Sequence, residues 1–251
     1  MNEGSKSVLV VVPTYNEREN LPLLVREIMT RERYRVMVMD DGSPDGTGEV
    51  ADELADEFPD RVEVVHRTGP RGLGRSYIDG FQRAVNTDAD VICQMDADLS
   101  HDPKCLPDLV AATEYFDLVI GSRYIPGGDI VNWPMRRRLL SSWANRYIRG
   151  VTRLQVRDCT SGFRSWRREA LCRMPLAESC TDGYAFLVEM LCTAAGRRLT
   201  IGERPITFVE RRHGESKLSS AMLFESIVTP WRFAFQKSSK EPRPPQNLGN
   251  R

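Results

Sequence analysis

The chain has 251 residues, 41% hydrophobic and 28% charged, which suits one large domain or two small ones with enough apolar side chains for a core. Ordinary Gly and Pro usage excludes a disordered or collagenous chain, and 35 basic residues set against 35 acidic ones exclude a general polyanion binder. The balance is uneven, because residues 1–100 carry 11 basic and 20 acidic side chains and residues 101–251 carry 24 and 15. One half can hold a cation and the other an anion.

The polar N-terminus, residues 1–7, lacks the apolar segment of a secretory signal and points to a reducing cytoplasm. Short, β-branched apolar runs at 8–12, 36–39, 62–65, 91–95 and 118–120 read as buried strands. Between them lie helical patterns at 20–30, 47–58 and 76–85. The first has Leu21, Leu24, Val25 and Ile28 at spacings of three and four. This alternation predicts an α/β fold, a Rossmann-like and mostly parallel central sheet with helices on both faces, whose ligands sit beyond the carboxyl ends of the strands. Past residue 121 the alternation stops, and residues 123–168 hold 11 basic side chains against Asp129 and Asp158. Further helices are predicted near 139–149 and 184–195, and strands at 199–201 and 206–209. No stretch approaches the roughly 18 apolar residues needed to cross a bilayer. Residues 237–251, with Pro242, Pro244 and Pro245, read as a disordered tail. Six cysteines without a Cys-x-x-Cys pair, and only three histidines, argue against a zinc site.

The first strand runs into Pro13-Thr14-Tyr15-Asn16-Glu17 and the second into Asp40-Asp41-Gly42-Ser43-Pro44-Asp45-Gly46-Thr47. At a carboxyl edge, Tyr15 can stack on a base and Glu17 or Asp41 can accept hydrogen bonds from ring or ribose donors. The alternative is a plain turn in which Asp45 or Thr47 caps the next helix. The fourth strand ends in Asp96-Ala97-Asp98-Leu99-Ser100. Side chains two apart in extended chain point the same way, so the two carboxylates converge and repel unless a cation lies between them. Magnesium or manganese fits, since hard ions accept one or two carboxylates and complete their shell with phosphates and water. The competing reading is that both carboxylates cap a helix after Pro103. Arg136, Arg137 and Arg138 precede Leu139, Leu140 and Trp143, a composition for a helix lying on anionic lipid or for a solvated helix packing its apolar side chains on the core. His101 reads as a helix-start residue, and the cysteines as small buried apolar groups. No Gly-x-Gly-x-x-Gly follows the first strand, which excludes a dinucleotide-dependent oxidoreductase and leaves residues 69–74, after the third strand, as a loop near the ligand.

Those segments, with Gly72-Leu73-Gly74, Gly121-Ser122-Arg123-Tyr124, Asn132-Trp133-Pro134, Ser161-Gly162-Phe163-Arg164 and Arg211-Arg212-His213-Gly214-Glu215-Ser216-Lys217, resemble the dolichol-phosphate or polyprenol-phosphate mannose synthases. These are inverting family 2 glycosyltransferases with the GT-A fold, and the resemblance spans roughly residues 7–235. The Asn-Trp-Pro and Gly-Glu-Ser-Lys segments carry the narrower likeness to transfer onto a polyprenyl phosphate.

The resemblance implies one catalytic domain over 1–236, with a nucleotide-sugar half to about residue 120 and an acceptor half beyond it. It implies transfer of mannose from GDP-mannose to a polyprenyl phosphate with inversion. Pro13, Tyr15, Glu17, Asp40 and Asp41 match nucleoside-binding positions, and Asp96, Ala97 and Asp98 match metal and diphosphate positions. Arg211 and Lys217 match donor-phosphate positions. Arg123, Arg137 and Ser141 match positions for the acceptor phosphate. Asp96, Asp98 and Arg123 are the implied catalytic residues. Ser100 stands where some relatives place a metal-binding Gln, a third site for Mg²⁺ or Mn²⁺. An acceptor phosphate, mostly ionised at neutral pH, needs no general base, and the Gln-x-x-Arg-Trp motif of hydroxyl-glycosylating relatives is absent. The apolar segment 222–233 ends where many relatives continue into membrane spans. This implies a peripheral protein on the cytoplasmic face of a membrane, reaching its lipid directly or through a small anchoring subunit, with no nucleic-acid partner. The open alternatives are another donor such as UDP-glucose, or a non-catalytic nucleotide-sugar-binding subunit.

Overall fold

The computed structural model describes residues 6–178, 183–210 and Trp231. Its first half alternates as the apolar runs require: β1 (Val8–Thr14), α1 (Leu21–Met29), β2 (Tyr34–Asp40), α2 (Thr47–Glu57), β3 (Val62–His66), α3 (Leu73–Ala84), β4 (Val91–Gln94), α4 (Leu106–Ala112) and β5 (Leu118–Ser122). There follow β6 (Asp129–Val131), α5 (Met135–Thr152), β7 (Arg164–Arg167), α6 (Arg168–Cys172), α7 (Gly183–Gly196), β8 (Ile201–Pro205) and β9 (Thr207–Val209).

Seven strands form one sheet in the order β3-β2-β1-β4-β7-β5-β8, and only β7 runs against the others. β6 and β9 make a separate parallel pair. The period-two alternation of β1 divides the core. Val8, Val10 and Val12 pack with α1, α2 and α4 on one face, while Leu9 and Val11 pack with α3 and α7 on the other. Burial on both faces explains why these strands read as unbroken apolar runs.

The predicted α/β sheet with helices on both faces is therefore the one observed. Central β7 was not predicted, because Arg164-Ser165-Trp166-Arg167 carries no apolar run. Its polar atoms are satisfied inside the protein. Arg164, fully buried, donates to the carbonyls of Ser161 (2.9 Å), Leu187 (2.9 Å) and Cys159 (3.2 Å), and Trp166 Nε1 donates to Gln94 Oε1 at 3.3 Å. Burial pulls the Arg164 guanidinium down to about 10.

Helix α3 lies unusually close to the sheet. A Cβ on Gly80 would stand 2.5 Å from Val11 Cγ1, so glycine there sets the approach of the helix to β1. The helix starts after Gly72, whose φ of 150° favours glycine.

Candidate active site

The carboxyl ends of β1, β2, β4 and β5 open into one cavity of about 450 Å³, within the usual range for a small-molecule site. Of the residues singled out from the sequence, Pro13, Tyr15, Glu17, Asp41, Asp96, Ala97, Asp98, Ser100, Arg123 and Arg137 line it.

At one end, Asp41 accepts hydrogen bonds from Arg67 Nη1 and from the Gly72 N–H at 3.1 Å. The Arg67 side chain is almost wholly buried and also holds Ser76 Oγ (2.9 Å) and Asp79 (2.7 Å). Arg71 lies 4.6 Å over the Tyr15 ring and donates to the Tyr15 hydroxyl at 2.7 Å. Glu17 Oε2 accepts from Asn20 Nδ2 at 2.9 Å, and the Glu17 N–H donates to Thr47 Oγ1. Asp40 is not among the lining residues. Its carboxylate turns inward and accepts from the Thr14 and Ser43 hydroxyls and from the N–H groups of Gly42 and Ser43. The turn reading and the ligand reading of this segment thus divide between neighbours: Asp40 and Asp45 shape the loop, and Asp41 faces the cavity. Asp45 accepts from the Thr47 N–H and hydroxyl, and these bonds hold its carboxyl below the usual range against the opposing effect of burial.

At the centre, Asp96 Oδ1 accepts from the Tyr77 hydroxyl at 2.8 Å, and Asp98 Oδ1 accepts from the Ser100 N–H (3.1 Å) and hydroxyl (2.5 Å). The helix-cap reading of the two carboxylates does not hold. Asp102 makes that cap, accepting from the Lys104 N–H at 2.9 Å. Among the described residues no third His, Cys, Asp or Glu joins Asp96 and Asp98 in a cluster. Two carboxylates and a hydroxyl are a hard donor set, suited to a divalent ion that completes its shell with substrate phosphate and water.

At the far end, Arg123 is buried in a bidentate pair with Asp158, Nε to Oδ2 and Nη2 to Oδ1 at 2.7 Å each, and Nη2 also donates to Thr160 Oγ1 at 2.8 Å. Burial alone would push the Asp158 carboxyl up, but the Arg123 guanidinium prevails and holds it below the usual range. Arg137 stacks 4.0 Å over Trp133 and donates to Glu210 at 2.7 Å. His101, expected only as a helix start, lies buried in the wall with its ring stacked on Phe163 at 5.2 Å and edge-on to Phe208 at 5.3 Å. Burial lowers its pKa. Ser141 does not line the cavity; its Oγ accepts from the Tyr124 hydroxyl at 2.8 Å. Arg211 and Lys217, the apolar segment 222–233 apart from Trp231, and the tail 237–251 lie outside the described residues.

Sequence reasoning missed Arg67, Arg71, Tyr77 and Asp158. Asp158 had left a signal, being one of two acidic residues in an arginine-rich stretch. Next to this end of the cavity, α5 turns Met135, Leu139, Leu140 and Trp143 outward, each more than half exposed. Asn145, Ile148 and Thr152 are the residues it buries. The reading in which Leu139 and Trp143 pack on the core is overturned. Among the described residues no helix is long and apolar enough to cross a membrane.

Carboxylates and guanidinium groups gathered beyond the carboxyl ends of a mostly parallel sheet, where ligands of open α/β folds sit, mark the class as an α/β enzyme. More particularly, the chain belongs to glycosyl transferase family 2, whose model matches residues 9–173. It is 44% identical to a polyprenol monophosphomannose synthase of Mycolicibacterium smegmatis, over 90% of this chain and 87% of that protein. It is also 44% identical to an undecaprenyl-phosphate mannosyltransferase of Micrococcus luteus, over 90% and 94%. Among solved structures, a glucosyl-3-phosphoglycerate synthase of Mycobacterium tuberculosis holding Mn²⁺, UDP-glucose and phosphoglyceric acid superposes with a TM-score of 0.68, over 93% of this chain and 81% of that one. At 20% identity that likeness establishes the GT-A fold alone.

Proposed function

We propose that this enzyme transfers mannose from GDP-mannose to a polyprenyl phosphate with inversion at the anomeric carbon. The observation that carries the reading is that one cavity is lined at one end by Tyr15, Glu17 and Asp41, at the centre by Asp96 and Asp98, and at the other end by Arg123 and Arg137. The two relatives, named for mannosyl transfer to polyprenyl phosphates, support the same substrates.

In this reading the nucleoside occupies the Tyr15–Asp41 end, and Asp96 and Asp98, with Ser100 beside them, hold a Mg²⁺ or Mn²⁺ ion. The ion, when bound, neutralises charge that develops on the departing diphosphate. The acceptor phosphate lies against Arg123 and Arg137. A phosphate oxygen forms the new bond to the anomeric carbon as the carbon–oxygen bond to the diphosphate breaks, and its electron pair leaves with GDP. No proton moves, because a phosphate monoester with a second pKa of about 6 is already mostly ionised at neutral pH. Arg123, fixed by Asp158, presents a charge whose position costs nothing to organise at the moment of reaction.

The exposed stripe of α5 gives the route to a lipid acceptor. The helix carries Arg136, Arg137, Arg138, Arg146 and Arg149 and no acidic residue, beside its apolar side chains. That composition suits an anionic bilayer surface, with the polyprenyl chain remaining in the membrane while its phosphate enters the cavity.

The test is a panel of GDP-mannose, UDP-glucose and UDP-galactose against a short polyprenyl phosphate with Mg²⁺ or Mn²⁺, read by mass spectrometry. Mannosyl phospholipid formed only from GDP-mannose is the expected outcome. A glucosylated product would reassign the donor, and tight GDP binding without any product would reduce the chain to a binding subunit.

A further inference from the structure

Tyr77 is fully buried on α3, with its ring packed against Phe81 at 5.7 Å and lying 7° from parallel to Phe186 at 6.0 Å. A ring held between two others has little room to turn, and a hydroxyl taken out of water into such surroundings must find an acceptor. It donates to Asp96 Oδ1 at 2.8 Å. The same carboxylate stands beside Gly162, where a Cβ would lie 3.1 Å from Oδ2 and 3.6 Å from Oδ1. Five residues before Tyr77, the Gly72 N–H that opens the same helix holds Asp41. One rigid rod, pressed onto β1 at Gly80, thus carries a hydrogen bond to each end of the donor side of the cavity.

We infer that Tyr77 is a positioning residue for the Asp96 carboxylate, its hydrogen bond to Oδ1 fixing the orientation in which that group meets a divalent cation. This rests on the reading above, in which Asp96 serves a metal. An outer hydrogen bond of this kind orients a ligand before the ion arrives, and losing one typically weakens metal binding about 10- to 100-fold.

The test measures Mn²⁺ binding to the full chain in the presence of GDP by the electron paramagnetic resonance signal of free Mn²⁺, so it does not depend on turnover. Tyr77→Phe keeps the ring and its packing. The expected result is Mn²⁺ affinity weakened about tenfold, with the loss of activity confined to the Mn²⁺ concentration needed for half-maximal rate and recovered at saturating Mn²⁺. Gly162→Ala, whose Cβ would crowd the same carboxylate and Oδ2 most closely, is expected to weaken Mn²⁺ binding as well. Thermal melts of both variants accompany the titrations. Tyr77→Phe binding Mn²⁺ as tightly as the wild type, or losing activity that saturating Mn²⁺ does not restore, would overturn the inference. A wild-type chain that takes up no Mn²⁺ with GDP would overturn the metal reading itself, and this inference with it.

Discussion

Arg123 and Asp158 form a pair in which both side chains are at least nine-tenths buried, and such a pair is far more costly to break than its net contribution would suggest. Asp158→Asn leaves the Arg123 cation buried without a counter-charge. A loss of about 3–5 kcal/mol is expected, read by urea unfolding at pH 7. The acid limb should change too. Because the folded Asp158 carboxyl is held below its unfolded value, its contribution is fully present above the unfolded pKa of about 4 and is lost as pH falls through the folded value. Wild-type stability should therefore fall more steeply below about pH 4 than that of Asp158→Asn. Parallel slopes in that range would show that the pair contributes nothing to acid sensitivity. If Arg123 meets the acceptor phosphate, the KM for acceptor in Asp158→Asn should rise more than the KM for donor.

Among the elements, β1 to β5 and α1 to α3 were legible because burial on both faces forces apolar runs and the helices obey a 3.6-residue period. β7 was not legible, since its polar side chains reach partners as distant in sequence as Gln94 and Leu187. Helix α5 starts at Met135, directly after Pro134, rather than at the expected 139, because its first turn is arginine-rich and exposed and offers no periodic signal. The site divides in the same way. Strand-end carboxylates could be placed from the ends of the apolar runs, whereas Arg67, Arg71 and Tyr77 reach their partners only through the packing of β3 and α3 beside β1 and β2. Gly80→Ala tests that packing. Alanine favours an isolated helix by about 1 kcal/mol, but its Cβ would stand 2.5 Å from the stiff Val11 side chain, and overpacking costs about 1–3 kcal/mol. The clash should win. Urea unfolding should show net destabilisation, and Mn²⁺ affinity should fall with it as α3 lifts Tyr77 from Asp96. A variant as stable as the wild type would mean that α3 has slack against the sheet.

Over the whole molecule, the acidic N-terminal half supplies Glu17, Asp41, Asp96 and Asp98 to the cavity and the basic half supplies Arg123 and Arg137, so formal neutrality is the sum of two unlike halves. The basic half also carries the outward apolar stripe of α5. Four of the eight large apolar side chains exposed among the described residues are on that helix, and Trp231, a fifth, donates to the hydroxyl of Tyr147 on it. Scattered exposed leucines need no explanation, but this concentration beside a cavity mouth does. Leu139→Asp with Leu140→Asp removes two of these side chains at positions 63% and 60% exposed, so stability should stay within about 0.5 kcal/mol per site. Each apolar side chain that enters a bilayer interface contributes on the order of 1–2 kcal/mol, so co-sedimentation with anionic vesicles should weaken by at least about tenfold. Raised salt should weaken wild-type binding further, because the arginines act through a screened potential. Transfer to a water-soluble, short-chain acceptor phosphate should remain at the wild-type rate, while transfer to a long polyprenyl phosphate in vesicles should fall in step with binding. Equal losses on both acceptors would mean that the stripe supports the cavity rather than the membrane. Undiminished vesicle binding would move the lipid contact to another face of the protein.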